Sequence, residues 1–206
     1  MRLHRILPKT RAEGPGMRFT LWVQGCSRGC PGCYAKELWN PAGGWEATAE
    51  EIIGQIAGTP GIEGVTFLGG EPMEQAAELA RVGEAAREMG LSVVTFTGFT
   101  REELLSGGDP DRLRLLACTD LLIDGGYQEE NRDFSRPWVG SSNQRYLFLT
   151  DRYTMEDVEK CHNRVEFRLD RTGVLRLNGM GDFAALEKLL GSKTIVRGKE
   201  DGTHEI

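Results

Sequence analysis

The sequence predicts an α/β protein, a partial, open parallel (β/α) barrel of about five to six strands followed by a C-terminal β-hairpin and helix. Three observations carry this. Short apolar runs at residues 18–24, 65–68, 91–96, 121–123 and 146–149 alternate with stretches of helical periodicity. The 206 residues are too few for a complete eight-unit barrel. The residues with chemistry in them directly follow the strands: three cysteines after the first, Gly69-Gly70-Glu71-Pro72 after the second, Thr97 after the third and Asp124 after the fourth. That is the carboxyl edge, where sheets of this kind gather ligands.

Taken in order, residues 1–17 read as an approach segment, with Leu3, Ile6 and Leu7 available to pack on the barrel. After the first strand and the cysteine loop comes a Trp- and Gly-rich connection. Thr48, with Glu51 three residues on, forms a capping box for a helix to about residue 57 that buries Ile52, Ile53 and Ile56. Pro72 opens a helix over 73–89, stopped by Gly90. Shorter helices are expected over 101–105 and 111–117. A polar loop, 127–144, leads to the fifth strand, and Thr154 with Asp157 caps a helix to 160. Residues 165–169 and 174–177, joined by Asp170-Arg171-Thr172-Gly173, read as a hairpin. A last helix is expected over 183–190. Residues 1–191 are read as a single domain with its core at 14–150, and 192–206 as a flexible tail.

Composition sets the class. A hydrophobic fraction of 39% and 27% charged residues are ordinary for a soluble globular chain. With 25 basic and 31 acidic residues the formal charge is −6, which argues against nucleic acid as the main partner. No apolar run reaches the length of a membrane span, and the N-terminus lacks the apolar core of a secretory signal. Five unevenly spread cysteines do not make a disulfide framework, so a reducing cytoplasm is expected.

Cys26, Cys30 and Cys33 lie within eight residues at the spacing Cys-x3-Cys-x2-Cys. Thiolates this close bind a soft metal. A structural zinc site wants four ligands, which Cys161 or His162 would have to complete. A four-iron cluster normally takes four cysteines, so three leave one iron open, the logic of a catalytic metal site. Gly29, Pro31 and Gly32 let the chain wrap a bulky inorganic core. Cys118, on an apolar helix, reads as a core residue. The two cysteines outside the triplet are too few for a second cluster.

The triplet after the first strand is the signature of the radical S-adenosylmethionine enzymes. With the lead-in Gly14-Pro15-Gly16-Met17-Arg18 and the run Cys30-Pro31-Gly32-Cys33-Tyr34, the chain resembles the activating proteins of glycyl-radical enzymes, and among them those of anaerobic ribonucleotide reductase. Many members carry an aromatic before the third cysteine. Here Gly32 stands there and Tyr34 follows, a departure the ribonucleotide reductase activators share. The resemblance covers roughly residues 14–150.

It implies that Cys26, Cys30 and Cys33 hold one 4Fe-4S cluster, with Gly32 and Tyr34 beside it. S-adenosylmethionine chelates the open iron and is cleaved reductively to a 5′-deoxyadenosyl radical. Gly69, Gly70 and Glu71 hold its amino group. Thr97 and Asp124 are candidates for a ribose hydroxyl or a bound cation, Asn143 for ribose or adenine, and Arg145 for the carboxylate. The implied partner is a glycyl-radical enzyme such as anaerobic ribonucleotide reductase, with flavodoxin or ferredoxin as electron donor. A second hypothesis is radical chemistry on a small molecule or peptide, as in the 7-carboxy-7-deazaguanine synthases, although those carry Trp-Cys-Asp at the third cysteine. A third is a non-catalytic iron–sulfur or zinc module, which has no use for Glu71.

Overall fold

A computed structural model describes residues 1–169, 171 and 173–181. The expected helix over 183–190, the tail and two residues of the hairpin turn, Asp170 and Thr172, lie outside the described residues.

Four strands form the parallel centre: β2 (Arg18–Val23), β4 (Gly64–Gly69), β5 (Ser92–Phe96) and β6 (Leu121–Asp124). The links between them are α1 (Ala49–Ala57), α2 (Ala76–Glu88), and the pair α3 (Arg101–Gly107) and α4 (Pro110–Cys118). Phe19, Leu21, Val65, Phe67 and Val93 alternate along their strands toward the helices, where Ile52, Leu79, Val82 and Leu115 meet them. Thr48 and Glu51 form the expected capping box on α1. Gly90 follows α2 at φ +80°, a conformation that costs glycine little. Pro72 starts a short 3-10 turn rather than the helix itself, so α2 begins four residues later at Ala76.

Two expectations are corrected. The approach segment is a strand: β1 (Arg2–Thr10) runs antiparallel to β2, with Leu3 opposite Val23 and Ile6 opposite Leu21. Pro8, which argues against a strand, falls within an irregularity of register between Leu7 and Thr10, where a missing N–H is tolerated. The short β3 (Trp45–Glu46) pairs with its other edge. The fifth expected strand, β7 (Arg145–Phe148), is antiparallel to β6. A parallel return needs a crossover, usually helical. The 125–144 connection contains no α-helix, and the chain turns back from the end it left.

Among the described residues the sheet has seven strands in the order β3-β1-β2-β4-β5-β6-β7. Beyond it, α5 (Met155–Glu159) is capped by Thr154 with Asp157, and the hairpin β8 (Val165–Leu169) and β9 (Leu175–Gly179) forms as expected. The hairpin docks through polar contacts. Glu166 accepts from Thr10 Oγ1 at 2.8 Å and Arg11 N at 2.7 Å, and Arg168 Nη2 donates to Lys9 O at 2.7 Å.

On the sheet face away from α1 and α2, a fully buried Arg18 ties three strands together. Its Nε donates to Thr66 Oγ1 at 3.0 Å, its Nη1 to Ser92 Oγ at 2.6 Å and Tyr153 Oη at 3.0 Å, and its Nη2 to the Val65 carbonyl. Burial holds its pKa below the ordinary value. Removing this cation strands every acceptor around it. Arg18→Met is expected to cost about 3 kcal/mol or more in urea unfolding, whereas Tyr153→Phe, which leaves the cation bonded, costs about 1 kcal/mol.

Candidate functional site

Because β2, β4, β5 and β6 run in parallel, their carboxyl ends bring four loops to one edge. The cysteine loop and the Gly69-Gly70-Glu71 turn are joined there by backbone. Gly70 N donates to Val23 O at 2.8 Å and Glu71 N to Gly25 O at 2.9 Å. A Cβ on Gly70 would stand 2.1 Å from Gly25 O, and Gly69 has φ +109°, so this crossing accepts only glycine at both places. The two amides are thus bonded to the chain. Glu74 adds a second tie, its carboxylate accepting from Ser27 N at 3.1 Å and from the Ser27 hydroxyl.

Cys26, Cys30 and Cys33 are free, partly buried, and line one cavity of about 390 Å³ together with Gly32, Tyr34, Gly69, Gly70, Glu71 and Thr97. Burial raises the Cys26 thiol above its ordinary pKa, partly offset by the Arg28 and Gly29 amides. Cys161 lies elsewhere, packed beside Trp138 and Val158 with its thiol donating to Asp157 O at 3.3 Å. Cys118 is buried against α2, its thiol pushed up to about 12 by burial. Three thiols with, among the described residues, no fourth thiol or imidazole beside them on the cavity wall, and glycines admitting close approach, suit a cluster with an open corner better than a closed tetrahedral ion site.

Glu71 is 1% exposed. Its Oε1 accepts from Met73 N at 2.9 Å and Thr97 Oγ1 at 2.7 Å, and its Oε2 from Gly98 N at 2.7 Å. Burial outweighs these bonds and pushes its pKa up to about 7. Thr97 therefore spends its hydroxyl proton on Glu71, and it also accepts from Phe99 N at 3.1 Å.

The remaining expected residues stand apart. Asp124, fully buried, is not among the residues lining the cysteine cavity; it accepts from Arg101 N at 2.8 Å and from Arg145 Nε at 2.9 Å and Nη2 at 2.5 Å. Arg145, raised in pKa by Asp124 and Glu102, also donates to Glu102 Oε2 at 2.6 Å. These two residues hold each other. Asn143 and Arg145 border an adjoining hollow that shares Arg28, Cys30, Gly98, Gly125 and Tyr127 with the cysteine cavity. Asn143 Nδ2 donates to Gly126 O at 2.8 Å, and its buried Oδ1 has no partner among the described residues.

Several lining residues escaped the sequence reading. Arg28 lies between two of the cysteines, which was a signal available in the spacing. Glu13, buried with its pKa pushed up to about 7 by burial, accepts from Asn178 Nδ2 of β9 at 3.2 Å, a contact across 165 residues that no local pattern announces. Gly179, Met180 and Gly181 bring the hairpin's end to the same cavity.

Residues 12–147 match the family described as "4Fe-4S single cluster domain". The chain is similar to the anaerobic ribonucleoside-triphosphate reductase-activating proteins of Escherichia coli K12 and Vibrio cholerae, 30% and 34% identical over 152 residues, 70% of this chain and 96% of each relative. That of enterobacteria phage T4 is 32% identical over 158 residues, 73% of this chain and 96% of the relative. The hairpin lies beyond the stretch that the family matches.

The Glu71 pKa has a consequence for the protein without ligands. Its folded value, about 7, lies above the ordinary 4.5, so the fold favours the protonated form. That contribution is complete below about pH 4.5 and is lost as pH rises through 7. Between pH 5 and pH 8 in urea unfolding, Glu71→Gln should gain on the parent by up to about 3 kcal/mol. The gain should level off above the folded pKa, and a parallel pair of pH profiles would contradict it.

Proposed function

The chain belongs to the family of the anaerobic ribonucleoside-triphosphate reductase-activating proteins, with their 4Fe-4S single cluster domain, and on that premise we propose that it is a radical S-adenosylmethionine enzyme that installs a glycyl radical on a partner reductase. The observation carrying this is that three free thiols and a buried carboxylate share one cavity at the carboxyl edge of parallel strands.

Cys26, Cys30 and Cys33 would hold the cluster through their sulfurs. With S-adenosylmethionine bound, the cluster supplies a one-electron cleavage that yields a 5′-deoxyadenosyl radical. The chain's own part is placement and shielding. Glu71, kept in one orientation by Thr97, Met73 and Gly98, seats an ammonium, and binding that cation draws off the carboxyl proton favoured in its absence. Trp39, Phe96 and Trp138 wall the cavity with apolar surface that keeps water from a radical. We read the sheet as a partial barrel whose open side receives a loop of the partner. The partner would be an anaerobic ribonucleotide reductase, the electron donor flavodoxin or ferredoxin, and the compartment the cytoplasm.

One observation favours radical chemistry on a small molecule or peptide instead. The end of the hairpin, outside the family's matched stretch, lines the cavity with Gly179, Met180 and Gly181.

Anaerobic reconstitution with iron and sulfide, then reductant and S-adenosylmethionine, should yield 5′-deoxyadenosine, and Cys30→Ala should abolish it. Mixing with an anaerobic ribonucleotide reductase should give a glycyl-radical signal in electron paramagnetic resonance. Cleavage with a silent spectrum would shift the case to the small substrate, and no cleavage by an intact cluster would end the proposal.

A further inference from the structure

S-adenosylmethionine carries an α-amino acid at one end, so its site needs an anion and a cation side by side. Glu71 supplies the anion. A carboxylate offers about four acceptor positions; two of those on Oε1 and one on Oε2 are taken by the chain, which leaves Oε2 one for an ammonium. Arg145, the cation the sequence suggested, is engaged by Asp124 and Glu102. Arg132 also lines the cavity, stacked on Phe134 at 4.7 Å, but it does not border the glycine that Glu71 borders.

Arg28 does. A Cβ placed on Gly98 would lie 3.4 Å from Glu71 Oε2, 3.1 Å from Arg28 Cγ and 3.4 Å from Arg28 Nε. One placed on Gly126 would lie 3.4 Å from Cys30 Sγ and 4.0 Å from Arg28 Nη2. The guanidinium therefore lies near both the carboxylate and the middle cysteine. It is braced on the Phe99 ring at 4.5 Å, while Arg112 holds the same ring at 4.7 Å. Its ion pair with Glu103 is long, Nη1 to Oε1 at 3.7 Å. A positioned guanidinium whose own carboxylate stands off at that distance can take a second one in a fork.

We propose that Arg28, from within the cysteine loop, pairs with Glu71 across Gly98 to read the zwitterion of S-adenosylmethionine, Arg28 taking the carboxylate and Glu71 the ammonium. This rests on the function proposed above and assigns the carboxylate to a residue of the loop that holds the metal.

The test uses cluster-reconstituted protein under anaerobic conditions without reductant, matched for iron and sulfide. Equilibrium binding is measured for S-adenosylmethionine, for its decarboxylated analogue and for 5′-methylthioadenosine, which lacks the amino acid. Arg28→Gln should weaken S-adenosylmethionine about tenfold or more and leave the two ligands without a carboxylate within about twofold of the parent. Equal losses for all three ligands, or none for any, would overturn the assignment. If Arg28→Gln does not retain the cluster, Arg28→Lys takes its place, with a smaller loss again confined to the carboxylate-bearing ligand. A parent protein that binds no S-adenosylmethionine fails the function as well, whereas a parent that binds it with Arg28 indifferent fails this inference alone.

Discussion

Everything at this site depends on two backbone hydrogen bonds, Gly70 N to Val23 O and Glu71 N to Gly25 O. They fasten the turn after one strand to the start of the loop after its neighbour. The cysteines and the carboxylate that must face a common ligand are thereby held by backbone, with the Glu74 carboxylate on Ser27 as a second tie. The constraint is steric as much as bonding, since a methyl group on Gly70 would collide with the Gly25 carbonyl. Glu71 then takes its place from what surrounds it, with one carboxylate oxygen filled by Met73 and Thr97 and the other shared with Gly98.

Much of this was readable in the residues, for physical reasons that differ from part to part. The four parallel strands are short and largely buried, with an apolar run in each, which is a strong local signal. Caps such as Thr48 with Glu51 are local by nature and were equally clear. The direction of β7 was not, because direction is set by where the preceding loop turns, and a polar loop does not write its path in its composition. β1 was missed because Pro8 and the charged residues around Leu3 and Leu7 obscure an alternation that its pairing with β2 makes plain.

The site divides the same way. The cysteines, the paired glycines, Glu71 and Thr97 sit within a few residues of a strand end, so strand and motif together place them. Asp124 shares that position, yet it is spent on Arg145 and on the start of α3. A strand-end carboxylate can serve the scaffold or a ligand, and only its neighbours in space decide. Glu13 and Asn178 show the opposite limit, two residues from opposite ends of the described chain joined where Glu13 lines the cavity.

The borders of the sheet bear on how the molecule meets others. One is β3, two residues long, and the other is β7, four residues long. Such stubs give an incoming chain little template for edge-to-edge pairing, the usual route by which open sheets aggregate. Past Leu3 the β1 side is met instead by the hairpin, through polar contacts at Lys9, Thr10 and Arg11.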